Sequence, residues 1–126
     1  MAGLVDRISD RDRFPAAASV PVLDAGTYLA VTDGDEHVVI RLTAEVTRIG
    51  RSLVADVHLD DTTVSRRHAL LVRRGDDVVV LDDRSRNGVF VNGERTAEAV
   101  LHDGDTVQLG RVTMRFVRVD APLTGA

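Results

Sequence analysis

The apolar residues of this chain fall in short runs that alternate with polar positions and are punctuated by glycine-bearing turns. From Thr27, "TYLAVTDGDEHVVIRL" reads as a strand, an Asp33-Gly34 turn and a second strand, the signal of a β-hairpin. "EVTRIGR" and "DVHLDD" are each long enough for one strand or a strand edge, and "HALLVRRGDDVVVLDD" repeats the hairpin pattern around Gly75. In "GVFVNGERT" the Asn92-Gly93 pair suits a type I′ turn between two strands, because both residues tolerate positive φ. "AVLHDGDTVQLGRVTMRFVRV" ends the series, with strands on either side of Asp103-Gly104 and of Gly110. No window of twelve residues beyond Thr27 sustains a helical period, and β-branched residues dominate the runs. The pattern predicts an all-β domain, most simply a two-sheet β-sandwich.

The ends of the chain differ. Residues 1–24 break their few apolar positions with charges and then run into "FPAAASVPV", where two prolines bracket alanines. They are read as a flexible tail with a short helix over residues 4–9, and residues 121–126 as a second disordered end. Residues 25–120 remain as the domain. A chain of 126 residues, 44% of them hydrophobic, is enough for one domain with an ordinary core.

A net charge of −4 argues against a general binder of nucleic acid or membrane surfaces, since both need an excess of positive charge over a broad face. The absence of cysteine excludes disulfides, thiolate catalysis and Cys-based zinc sites. All sixteen basic residues are arginine, which removes Schiff-base chemistry and a P-loop lysine. The N-terminus has no signal-peptide core and no run approaches membrane-spanning length, so a cytoplasmic location is expected. No metal or other cofactor is expected.

The candidate chemistry gathers in "DDTTVSRRHALLVRRG", residues 60–75. Ser65 and His68 could be read as a hydrolase pair, but Ser65 lacks a nucleophile-elbow context. A metal site from His58, Asp60, Asp61 and His68 is equally thin. The acidic pairs Asp60-Asp61, Asp76-Asp77 and Asp82-Asp83 sit where turns sit and are read as solvated. An anion site has more parts: Gly50-Arg51 ends the "EVTRI" run, Ser65 adds a short hydroxyl, and "DDRSRNGVFVNG" brings Arg86 and Asn87 to the start of another strand. Guanidinium groups match phosphate with paired donors and permanent charge, and an Asn amide can grip an extended backbone.

Taken in order, "TRIGRS", "DVHLDDTTVSRRHALL", "VLDDRSRNGVFVNG" and "LHDGDTVQLG" resemble the forkhead-associated (FHA) domain, a phosphothreonine-recognition module, across residues 27–119. The resemblance implies a β-sandwich of about eleven strands whose loops at one end bind a phosphothreonine peptide; that strand count rests on the resemblance. Arg51 would then be the principal phosphate ligand, Ser65 the second, Arg66 a contact to phosphate or peptide backbone, and Asn87 a ligand of the peptide main chain. Arg86 stands where some members carry a small hydroxyl residue, and is assigned to the phosphate or the peptide's flank. Thr62, Thr63 and Arg84, with Arg86, are the loop positions expected to set selectivity, which the arginines would bias towards acidic flanks.

Supporting roles go to His68 as a buttress between the binding loops, to Gly50 for backbone geometry or close packing, and to Asn92 and Gly93 as a turn. Arg67 is read as a solvated or packing residue, and Arg73 and Arg74, flanking the turn at Gly75, as solvated. The function implied is phosphothreonine-dependent protein binding without catalysis, the partner being a phosphorylated Ser/Thr kinase or its substrate. The competing reading is a phospho-independent structural or interaction domain that keeps the fold. Some FHA proteins close on their own phosphorylated N-terminal threonine. Here the first threonine is Thr27, at the start of a predicted strand, so action in trans is expected, with Thr124 as the remaining cis candidate.

Overall fold

The computed structural model describes residues 24–33 and 36–120; residues 1–23 of the expected N-terminal tail, with the short helix over 4–9, and the expected tail at 121–126, with Thr124, lie outside the described residues. Among the described residues eleven strands form in chain order: β1 Gly26–Asp33, β2 Glu36–Arg41, β3 Val46–Gly50, β4 Val57–His58, β5 Ala69–Arg74 and β6 Asp77–Asp82, followed by β7 Val89–Val91, β8 Glu94–Thr96, β9 Glu98–Leu101, β10 Thr106–Leu109 and β11 Val112–Val119. They make a six-stranded sheet in the order β2-β1-β11-β10-β7-β8 and a five-stranded sheet in the order β4-β3-β5-β6-β9. The all-β two-sheet sandwich read from the sequence is the observed fold.

Alternation along each strand builds the core. In β11, Val112, Met114 and Phe116 point inward while Thr113 and Arg115 are exposed, as a pleat with a period of two requires. Ile49, Leu71 and Val80 face them from the other sheet, with Leu29, Val31 and Leu109 completing the same buried cluster. Among the described residues the predicted turns are where the pattern placed them, Gly34 lying outside those residues. Asn92 and Gly93 have φ of 51° and 85°, the two positive values of a type I′ turn, and Gly75 joins β5 to β6 with φ of 63°. β8 and β9 are separated by Ala97 alone, yet belong to different sheets. The chain crosses the sandwich at that residue, and Asp82 N–H bonds the Ala97 carbonyl at 2.9 Å.

One pair of basic residues departs from expectation. Arg74 is exposed beside Glu98, but Arg73 is not simply solvated: its guanidinium donates to Thr27 Oγ1 and to the Leu42 carbonyl, each at 2.8 Å. The cause is strand alternation. Arg73 shares the inward side of β5 with Leu71, and at the open end of the sandwich its long side chain reaches across to the other sheet.

Arg73→Ala removes charge-assisted hydrogen bonds that join the two sheets, each worth about 1.5–3 kcal/mol. The expected result is a lower denaturant midpoint with an unchanged transition slope, measured by urea unfolding followed by circular dichroism.

Candidate functional site

At the end of the sandwich opposite Arg73, three connections converge: residues 51–56 after β3, 59–68 between β4 and β5, and 83–88 between β6 and β7. Irregular backbone of this kind must find hydrogen-bond partners outside the sheet ladders. Here short polar side chains supply many of them. Asp61 accepts from the Thr63 N–H at 2.8 Å and from its hydroxyl, Asp82 accepts from the Ser85 N–H, and the Ser85 hydroxyl oxygen accepts from the Gly88 N–H. Asp61 and Asp82, read from the sequence as solvated turn residues, therefore hold loops. The Asp61 carboxyl sits below the usual carboxylate range, chiefly because of the Thr63 hydroxyl and amide, with Arg111 adding to the effect.

His68 ties two of the three connections together and is fully buried. Its Nδ1 accepts from the Ser65 N–H at 3.0 Å, so the proton lies on Nε2, which donates to the Gly88 carbonyl at 2.8 Å. Gly50 is required by a close approach. A Cβ there would overlap the Arg66 carbonyl oxygen, because the Arg51 and Ser52 N–H groups draw in the carbonyls of Ser65 and Arg66 at 2.9 and 3.1 Å.

Between these loops lies an open cleft of about 300 Å³, lined by Arg51, Thr62, Thr63, Val64, Ser65, Arg66, Arg86 and Asn87. Arg51 Nε donates to the Val64 carbonyl at 3.1 Å, fixing the guanidinium by one edge. Ser65 Oγ accepts from the Arg86 N–H at 2.9 Å, which commits a lone pair and leaves the hydroxyl proton to be donated elsewhere. Asn87 Nδ2 donates to the Thr63 carbonyl at 2.8 Å, using one of its two N–H groups. Among the described residues no carboxylate pairs with Arg51, Arg66 or Arg86. The cleft is thus a concentration of positive charge in an acidic protein.

All five residues predicted to bind directly, Arg51, Ser65, Arg66, Arg86 and Asn87, line this one cleft together with Thr62 and Thr63. Arg84 does not line it, and occupies a left-handed conformation with φ of 62° on the adjoining loop. Asn92 and Gly93 stand at the far end of β7 from Gly88, where the Asn92 side chain bonds Asp105 and the Thr106 N–H at 3.0 and 2.9 Å. Arg67 turns away to a two-point contact with Asp83, 3.1 Å at each bond.

Some contributors escaped the sequence reading. Gly110 at the β10–β11 turn admits the Thr63 backbone so closely that a Cβ would overlap it, and the Arg111 N–H bonds Thr63 Oγ1 at 2.8 Å. Thr63 is therefore the junction between the six-stranded sheet, the β4–β5 loop and Asn87. The available signal was the Asp-x-Thr spacing from Asp61 to Thr63, a turn in which the carboxylate bonds two residues on.

Comparison with known proteins agrees with this geometry. The family model for the FHA domain matches residues 47–110. The chain is 40% identical over 111 residues to the oxoglutarate dehydrogenase inhibitor of Corynebacterium jeikeium, covering 86% of this chain and 76% of that protein. It is 38% identical over 104 residues to the glycogen accumulation regulator GarA of Mycolicibacterium smegmatis, covering 81% of this chain and 66% of that one. Among solved structures, one from a study of phosphothreonine-dependent FHA domain interactions superposes with a TM-score of 0.69 at 32% identity, over 74% of this chain and 96% of its own. Mycobacterium tuberculosis EmbR in complex with a low-affinity phosphopeptide superposes with a TM-score of 0.69 at 37% identity, over 77% of this chain and 25% of its own.

His68→Ala deletes both bonds of the ring, leaves the Ser65 N–H and Gly88 carbonyl unpartnered, and opens a cavity. A loss of about 2 kcal/mol or more is expected, read as a clear fall in Tm by scanning calorimetry.

Proposed function

This chain belongs to the FHA domain family, and on that premise we propose that it is a phosphothreonine-dependent protein-interaction module of Ser/Thr-kinase signalling, acting by binding and not by catalysis. The observation that carries the reading is the cleft: three guanidinium groups without carboxylate partners among the described residues, arranged around a hydroxyl whose proton is available. A phosphothreonine brings a charge of about −1.5 to −2 and three strong acceptor oxygens. Arg51, held at Nε by Val64, offers its two terminal nitrogens as a fork to two of those oxygens. The Ser65 hydroxyl donates to the third, while Arg66 and Arg86 add charge from the flanks. Asn87, braced by Thr63, keeps its carbonyl oxygen and second N–H for the backbone of an extended peptide.

Val64, the one aliphatic residue at the cleft, turns its side chain into the core and is 1% exposed. A pocket that received the threonine methyl would favour phosphothreonine over phosphoserine by about 1–3 kcal/mol. The names of the corynebacterial and mycobacterial relatives, an inhibitor and a regulator, support a regulatory role. The partner we assign is a phosphorylated kinase or kinase substrate, met in the cytoplasm and bound in trans. Thr27 cannot serve as a cis ligand, because it is buried in β1 and its hydroxyl is engaged by Arg73.

The test is a titration with matched phosphothreonine, phosphoserine and unphosphorylated peptides by isothermal calorimetry. Only the phosphorylated forms should bind, phosphoserine roughly 10- to 200-fold more weakly than phosphothreonine. Arg51→Ala should lower affinity by about 1.5–3 kcal/mol or more while leaving Tm near that of the wild type. Equal affinity for the unphosphorylated peptide would favour the phospho-independent reading instead.

A further inference from the structure

A second hollow of about 350 Å³ adjoins the cleft. The two are divided by a seam of backbone, in which the Arg51 and Ser52 N–H groups bond the carbonyls of Ser65 and Arg66 at 2.9 and 3.1 Å. Arg51 and Ser65 line the cleft, Ser52 and Arg67 line the hollow, and Arg66 lines both. The hollow is otherwise mainly aliphatic, with Val46, Val54, Ala55 and Leu70 among its lining residues. Four large apolar residues among the described ones are exposed: Val46, Leu53, Val54 and Val100. Val46 and Val54, 39% and 80% exposed, line this hollow, and Leu53, 67% exposed, adjoins Val54. A hydrogen-bonded turn presents them. The Ser52 hydroxyl oxygen accepts from the Val54 N–H at 3.2 Å, and the Ser52 carbonyl accepts from the Ala55 N–H at 3.1 Å. Apolar side chains exposed singly are ordinary, but a group of them rimmed by arginine beside a binding cleft has the composition of a contact surface. Arg67 and Asp83 at its wall already neutralise each other, so the aliphatic surface is what is left to be covered.

We propose that the hollow is a second subsite for the phosphothreonine-bearing partner, taking an aliphatic side chain of the same chain a few residues from the phosphothreonine. This rests on the phosphothreonine reading of the cleft. The occupant follows from continuity. Because Arg66 is common to both, a peptide whose phosphate sits between Arg51 and Ser65 and which leaves past Arg66 runs into the hollow. An extended chain advances about 3.4 Å per residue, so the side chain that arrives there is close in sequence to the phosphothreonine. A leucine, isoleucine or valine in that place covers Val46, Val54 and Leu70, and the apolar surface leaves water on both sides of the contact. Every phosphothreonine offers the cleft the same phosphate. Discrimination among phosphorylated partners therefore falls to contacts outside the cleft, and this hollow supplies one.

The experiment is isothermal calorimetry of the full chain with peptides that carry a central phosphothreonine in an alanine background, a single leucine being placed in turn at each position on either side. Leucine should tighten binding roughly tenfold or more at one position, or at two adjacent ones, on one side only. Glutamate at that position should gain less, although Arg48 and Arg66 stand at the hollow. The double variant Val46→Ser, Val54→Ser alters exposed side chains and no charge. It should lose the gain from leucine and keep the wild-type Tm and the wild-type affinity for the all-alanine phosphopeptide. If that all-alanine phosphopeptide and every leucine peptide fail to bind the wild type, the phosphothreonine reading falls and the subsite falls with it. If the all-alanine phosphopeptide binds and leucine gains nothing at any position, the subsite alone is overturned. A gain that survives in the double variant, or glutamate equal to leucine, overturns it too. Nuclear Overhauser contacts in the free chain from the Val54 and Leu70 methyls to residues 14–23, or to a second copy in a mixed-label sample, would give the hollow to that occupant and end the proposal.

Discussion

The buried His68 ring is the constraint on which the binding end of the sandwich depends. Its two nitrogens bond the main chain of two separate connections, Ser65 ahead of β5 and Gly88 ahead of β7. Those connections belong to strands in different sheets. The ring therefore sets the distance between the segment that carries Ser65 and Arg66 and the segment that carries Arg86 and Asn87. Gly50 imposes the same economy on the third connection, since only a residue without Cβ lets the carbonyl of Arg66 settle over the end of β3. A site made of loops is thereby held by side chains and close backbone contacts in place of a ladder. Such pre-ordering lowers the entropic cost of ordering the site when a ligand arrives.

Electrostatics follow from that architecture. The net charge is −4, yet the acidic residues nearest the cleft are already engaged. Asp61 accepts from Thr63 and faces Arg111, and Asp83 holds Arg67 in a two-point contact. What remains turned towards the opening is Arg51, Arg66 and Arg86. With a screening length of about 8 Å at physiological salt, this local imbalance and not the overall charge decides which ligands the opening attracts. It accounts for a positively charged cleft in an acidic protein.

Much of the fold was legible because the strands are half-buried and their turns carry glycine. The β5–β6 and β7–β8 hairpins declared themselves through Gly75 and Asn92-Gly93. The split between β8 and β9 was harder, since a single residue, Ala97, moves the chain from one sheet to the other without a turn signal. Arg51, Ser65 and Asn87 were legible as parts of one site because chemistry and order coincided. Thr63 was legible only as a selectivity residue. Its part as a junction depends on Gly110, distant in sequence and brought to it by the β10–β11 turn, a contact that no local pattern encodes. The solvated-turn reading of Asp61 and Asp82 failed for a related reason, because a turn carboxylate bonded to nearby N–H groups looks in sequence like one facing water.

The adjacent arginines show how strongly direction governs the role of a residue type. Arg66 and Arg67 are neighbours, yet one lines the cleft and the other is bound to Asp83. Arg73 and Arg74 are neighbours too, one reaching inward to Thr27 and Leu42, the other outward to Glu98. On β5 consecutive side chains leave on opposite sides, which divides Arg73 from Arg74, while Arg66 and Arg67 are divided by the bent connection ahead of β5. The division gives the cleft one fewer guanidinium than composition suggests and gives the sandwich a clamp at its other end. It also places Arg74 on the outer face, where its pair with Glu98 links β5 to β9. A single residue type is thus distributed among the cleft, the join between the sheets and the outer face.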